Sequence, residues 1–156
     1  MDEAIIKFYR RLLKEDFPNA GELKAPAIFV EAVGEKLINC GNTGNFMQLY
    51  LLITDECITE FKYLCACEPI ANVAVEVLCD LVRGMPIEEA AGIIPEQILA
   101  VLGTHDEALS RKVCGLLEML NEGIAIYRGQ TGQGGSGVKE GSETKSNISW
   151  DATLSA

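Results

Sequence analysis

A single histidine, His105, and a single tryptophan, Trp150, stand in a chain of 156 residues. One histidine cannot furnish a multi-histidine metal centre, and any Ser-His-Asp machinery would have to be built on that one side chain. Cations are also scarce: 13 Lys and Arg face 23 Asp and Glu, a formal net charge of −10. Charge of that sign repels a phosphate backbone, so nucleic acid is not an expected partner. No apolar run reaches the roughly 20 residues of a membrane span, and no basic stretch followed by an apolar run marks a secretory signal. The expectation is a cytoplasmic protein without a membrane partner. The glycine-rich stretches lack the Lys-Ser or Lys-Thr of a phosphate loop, which argues against nucleotide binding. No repeat of fixed period is visible.

Cysteine is what the chain does have, at six positions. A domain of this length can bury a core without covalent staples, so the cysteines need not be a disulfide framework. In a reducing compartment, clustered cysteines more often signify metal or redox chemistry.

The pattern along the chain predicts an α+β domain. A helix is expected from Asp2 to Glu15, with Ile5, Ile6, Phe8, Tyr9, Leu12 and Leu13 as its apolar stripe and Phe17-Pro18 as its stop. The stretch from Pro26 to Ile38 is ambiguous. Phe46 to Ile53 and Cys57 to Leu64 read as strands joined through Thr54-Asp55-Glu56, with Phe61, Tyr63 and Cys65 in alternation. From Pro69 the period becomes helical, with Ile70, Val73, Ala74, Val77, Leu78 and Leu81 on one face and Gly84 past the end. A short helix follows around Pro86 to Ala91. Thr104 and Glu107 have capping-box spacing ahead of a last helix that runs to about Tyr127. The order gives a small antiparallel sheet of about three strands packed with helices. Residues 1–128 form this domain. Residues 129–156, rich in Gly, Ser and Thr, lack the apolar side chains that offset ordering entropy and are expected to be a disordered tail. Trp150 in that tail is either incidental or a docking anchor.

Three cysteines stand beside turns or helix starts. Cys67 lies two residues before Pro69, where the amides and the dipole of a helix N-terminus favour a thiolate. Cys40 sits in the polar, glycine-rich turn Cys-Gly-Asn-Thr-Gly-Asn, where backbone amides can approach a cluster sulfide. Cys114 falls on or near the apolar face of the last helix beside Val113 and Leu117, or in its first turns if the helix begins at Ser110. Cys79, Cys57 and Cys65 read as small hydrophobes, Cys79 most plainly. Cys65 and Cys67 make Cys-x-Cys, shorter than the Cys-x-x-Cys of metal or redox motifs. His105 reads as a solvated first-turn residue, and Asp106 and Glu107 as acids favouring that helix start.

Taken in order, Cys40-Gly41-Asn42, Phe61-Lys62 with Ala66-Cys67-Glu68, Leu81-Val82-Arg83-Gly84, Ile87-Glu88-Glu89-Ala90 and Val113-Cys114 running to Tyr127 resemble the motif series of the iron-sulfur cluster scaffold family, the IscU proteins and the N-terminal domain of NifU. The resemblance extends to about Tyr127. It implies a non-enzymatic carrier on which sulfur from a cysteine desulfurase and iron form a transient [2Fe-2S] cluster that passes to recipient apo-proteins. It further implies that Cys40, Cys67 and Cys114 hold the cluster, with Cys65, Asn42, His105 or a partner's residue as fourth ligand. Asn42 stands where the family has an aspartate, and Val113 where it has a histidine. The region around Cys67 carries about two extra residues, so Cys65 is the other candidate for second cysteine. The Leu-Pro-Pro-Val-Lys segment that meets an Hsp70-type chaperone has no counterpart before Cys114. Two further readings use the same fold: a zinc-binding sulfur acceptor, since tetrahedral zinc takes three thiolates and a fourth donor, and a metal-free interaction protein.

Overall fold

The computed structural model describes residues 2–33, 46–66 and 68–132. Its elements are α1 (Glu3–Glu15), β1 (Ile28–Val33), β2 (Phe46–Thr54), β3 (Cys57–Ala66), α2 (Pro69–Val82), α3 (Ile87–Ala91), α4 (Pro95–Leu102) and α5 (Glu107–Gly132). The expected α+β architecture is present, with one antiparallel sheet in the order β1-β2-β3.

The stretch from Pro26 that the sequence leaves ambiguous contains β1, which sends Ile28, Val30 and Ala32 into the core while Phe29 stays exposed. β2 and β3 form a hairpin whose turn, Asp55-Glu56, has φ of 53° and 65°. Two left-handed residues match the strand twist, normally a position for Asn-Gly. The outer edge of β3 is covered rather than left to template another strand. Tyr63 N–H donates to Asn19 O (3.1 Å) and Gly21 N–H to Tyr63 O (2.8 Å), while further along Gly84 N–H reaches Ile58 O (2.7 Å) and Ile58 N–H reaches Met85 O (2.9 Å).

The inward residues Leu49, Leu51, Ile58 and Phe61 belong to one core, in which α2 packs on β3, α5 on β1 and the two helices on each other, with α1 against α2. The sequence assigns α2 one apolar face, but the structure buries it nearly all round, Val75, Glu76 and Cys79 included. A helix enclosed on several sides has no solvent stripe. α4 is not apparent from the periodicity, since Ile98 and Leu99 are its only buried residues.

The start of α5 differs from expectation in its cap. Thr104 Oγ donates to an Asp2 carboxylate oxygen, and Asp106 Oδ1 instead accepts from Leu109 N–H at 2.9 Å. Asp106 therefore caps the helix, and His105 lies in the preceding loop. That bond from Thr104, followed by the Ala4 amide, holds the Asp2 carboxyl below its usual range.

α5 continues to Gly132, past Tyr127, and Gln130 lines a 220 Å³ cavity with Ala27, Phe29 and Tyr127. Removing residues 133–156, whose Gly-, Ser- and Thr-rich sequence lacks the apolar side chains that build a core, should move the thermal midpoint by no more than about 2 °C. Cutting at 129 removes the last helical residues and should cost more. A calorimetric loss as large for the shorter deletion as for the longer one would contradict this division of the chain.

Candidate functional site

The strand register brings the ends of all three strands together at the end of the sheet where Cys65 stands. Val33, the last residue of β1, pairs with Phe46, the first of β2, and Phe46 pairs with Ala66, the last of β3. The chain segment that carries Cys40 and Asn42 thus departs from and returns to the end at which Cys65 stands and from which the chain runs through Cys67 into α2. Cys40, Asn42 and Cys67 themselves lie outside the described residues.

Cys114 belongs to the second turn of α5 and is exposed, not on the apolar face: Val113 and Leu117 are buried beside it. α5 packs on β1. A Cβ on Gly123 would meet Ile28 and Val30, and Gly123, Ile126, Tyr127 and Gln130 share a cavity with Ala27, Ile28 and Phe29. Cys114 stands nine residues before Gly123, about 13 Å along the helix axis. His105 is exposed, ahead of a helix whose first residue, Glu107, is about 10 Å along the axis from Cys114. Among the described residues, no group of three or more His, Cys, Asp or Glu side chains is arranged to hold a metal ion. Cys79 is fully buried, as the sequence indicates, and burial pushes its thiol well above the ordinary range. Cys57 is half-buried at the start of β3, near the hairpin and at the far end of the sheet from Cys65.

Cys65 has polar company that the sequence did not reveal. Asn72, on the first turn of α2, donates through Nδ2 to Cys65 Sγ (3.3 Å) and lies 3.5 Å from the Tyr63 hydroxyl. Tyr63 is 1% exposed, and its hydroxyl donates to Glu76 Oε2 at 2.8 Å. Glu76 is likewise 1% exposed. It also accepts from Asn19 Nδ2 at Oε1 (2.8 Å) and from Asn19 N–H at Oε2 (3.3 Å). Arg83 reaches Asn19 Oδ1 and Phe61 O, the latter at 3.2 Å.

Desolvation raises the Glu76 carboxyl, opposed by the bonds from Tyr63 and Asn19. Desolvation, followed by the Glu76 charge, pushes the Tyr63 phenol up, so it remains a donor. The network clamps three elements, the Asn19 segment, the end of β3 and α2, directly behind Cys65. One clue existed: Glu76 is the only ionisable residue other than Cys79 between Pro69 and Cys79, in an otherwise largely apolar helix.

No protein-family model matches the sequence, and no curated protein matches it. Solved structures do match. A protein of Fervidobacterium islandicum assigned as an iron-sulfur cluster assembly scaffold for the SUF system aligns with a TM-score of 0.57 over 80% of this chain and 96% of its own, at 15% identity. The N-terminal part of a NifU-like protein of Brucella abortus aligns with a TM-score of 0.53 over 80% of this chain and 91% of its own, also at 15% identity. A hypothetical protein aligns with a TM-score of 0.53 at 16% identity, over 76% and 98%. The chain has the fold of the SufU and NifU scaffold proteins. At such identities the likeness is one of fold.

Proposed function

We propose that this protein is a scaffold on which a [2Fe-2S] cluster is assembled and from which it is passed on, rather than an enzyme. The observation that carries the reading is the meeting, at one end of a scaffold-type sheet, of the flanks of the Cys40 segment and the end of β3 that leads to Cys67; Cys114, exposed on α5, would join them there. Cys40, Cys67 and Cys114 would accept sulfur from a cysteine desulfurase and hold iron as thiolates. The fourth position would be filled weakly, and recipient apo-proteins would take the finished cluster. An incomplete, exposed ligand set suits a cargo that must leave.

Asn42 offers a neutral amide in place of a carboxylate and binds iron more weakly, which shifts the fourth position toward a thiol. Cys65 is the nearest to Cys67 in sequence, and its Sγ already accepts a hydrogen bond from Asn72 that would help fix its orientation. Anaerobic reconstitution with iron and sulfide tests both levels. Cys40→Ser, Cys67→Ser and Cys114→Ser should each abolish visible cluster absorption or reduce it about tenfold. Cys65→Ser should shorten cluster lifetime without abolishing assembly, and Asn42→Asp should change it. Colourless protein that retains stoichiometric zinc through purification would replace the cluster reading with that of a zinc-holding sulfur acceptor. Failure to retain either metal would leave an interaction protein. If Cys65→Ser and Asn42→Asp both behave like the native chain, Cys65 loses its role while the three-cysteine site stands.

A further inference from the structure

The outer face of α1 concentrates positive charge on a strongly acidic protein. Lys7, Arg10, Arg11 and Lys14 are all exposed and line one side of a 740 Å³ groove between α1 and α4. These are four of the 13 cations in a chain of net charge −10. The i, i+3, i+4 and i+7 spacing puts them on one helical face about 10 Å long. The groove's apolar wall is supplied by Phe8, Leu102 and Val101, the last 56% exposed. A smaller hollow of 180 Å³ continues from it, sharing Phe8, Arg11 and Val101 and reaching Val77, Leu81 and Asp80 on α2, where the Asp80 carboxylate is engaged by Arg83 at 3.5 Å. The Arg11 guanidinium lies 4.3 Å from the centre of the Phe8 ring, which fixes one cation against the apolar wall. Among the described residues Arg11 alone of the four pairs with a carboxylate, Glu15, at 3.7 Å across an exposed surface where such a pair is worth little.

We infer that this groove is a docking site for a short acidic amphipathic segment of a partner protein, its aliphatic side chains seated against Phe8 and Val101 and its carboxylates on the four cations. Charge complementarity selects that occupant. A second copy of the chain bound about a two-fold axis would set the same four cations against themselves. A nucleic acid or an anionic membrane would extend past the four cations onto the acidic remainder of the surface, which a short segment does not, and neither would fill the apolar hollow. A helix laid in a groove by apolar anchors three and four positions apart, with acids around them, uses both walls. The inference is independent of the cysteine chemistry, because no residue of the groove belongs to the proposed cluster site.

The test is an NMR titration of the full isotope-labelled chain. The probe is a synthetic helical peptide of about 14 residues with Leu at the anchor positions and Glu elsewhere. Shifts should be confined to α1, α4 and the facing part of α2, and the affinity should fall as salt rises. The combined Lys7→Glu, Arg11→Glu and Lys14→Glu variant should weaken binding by at least about tenfold with an otherwise unchanged amide spectrum. Should that variant misfold, Lys7→Gln with Lys14→Gln should still weaken binding about threefold. Val101→Asp should weaken binding comparably. The same peptide with Lys in place of Glu, a single-stranded DNA oligomer, and phosphatidylcholine vesicles containing phosphatidylserine should all fail to shift these residues. The proposal is overturned if the acidic peptide leaves the groove unshifted, or if the Lys peptide, the DNA or the vesicles bind there as well as the acidic peptide does.

Discussion

Glu76→Ala should lower the unfolding free energy by about 2 to 4 kcal/mol at neutral pH, because it leaves buried donors without their acceptor. The Tyr63 hydroxyl and the Asn19 amide both point at the Glu76 carboxylate, and Asn19 Nδ2 would be left with Asp80 and the Glu76 carbonyl. Urea unfolding followed by circular dichroism measures the loss. A change below about 0.5 kcal/mol, the range of a surface substitution, would mean that the network does not hold the fold. The same residue sets a pH dependence whose sign can be worked out. Burial raises the Glu76 carboxyl above its ordinary 4.5, so the folded state retains a proton that the unfolded state has released. Stability contributed by this group is therefore complete below that ordinary value and declines as pH rises through the raised one. Glu76→Gln cannot titrate. The difference between the native and Glu76→Gln stability curves should fall with rising pH above about 4.5, and a flat difference curve would remove the assignment.

Gly123→Ala should destabilise the protein by about 1 to 3 kcal/mol, although helix propensity alone favours alanine over glycine by about 1 kcal/mol. A Cβ at position 123 would lie 2.6 Å from Cγ2 of both Ile28 and Val30. Both side chains are β-branched and buried, 3% and 2% exposed, so neither can swing aside without leaving its rotamer well or displacing β1. Val30→Ala in the Gly123→Ala background should cost less than Val30→Ala in the native chain, because it removes one of the two clashes. An unchanged or raised thermal midpoint for Gly123→Ala would show that α5 stands farther from β1 than described. The consequence reaches the candidate site, since the same close approach holds α5, the helix that carries Cys114, against β1.

The sequence by itself determined the elements whose apolar period is long and clean. α1, α2 and α5 follow from stripes three and four residues apart, β2 and β3 from apolar runs and alternation broken at Asp55-Glu56, and Cys79 reads as core from its place between Leu78 and Leu81. It also determined the order of the cysteine motifs, which is what made a scaffold resemblance legible. Short elements were less legible: β1 has only three inward residues, and α4 buries only Ile98 and Leu99, so neither supplies enough periods to stand out.

The tertiary structure decided what depends on partners distant in sequence. The sequence marks Thr104 as the cap, but Asp2, 102 residues away, engages the threonine hydroxyl, and Asp106 begins α5 instead. Cys114 and Val113 differ by one 100° step around a helix, and only the packing of α5 decided that the valine is inside and the cysteine outside. Glu76 would be a solvated acid on a surface helix. It is a buried acceptor here because α2 is enclosed by the sheet, α5 and α1 while the Asn19 segment and Tyr63 turn donors toward it. The pairing of β1 with β2, strands separated by residues 34–45, brought Val33 to the end where the hairpin pairs Phe46 with Ala66. Local periodicity thus chose the elements, while their enclosure and alignment, set by contacts between residues far apart in the chain, chose which polar groups are buried and which strand ends lie together.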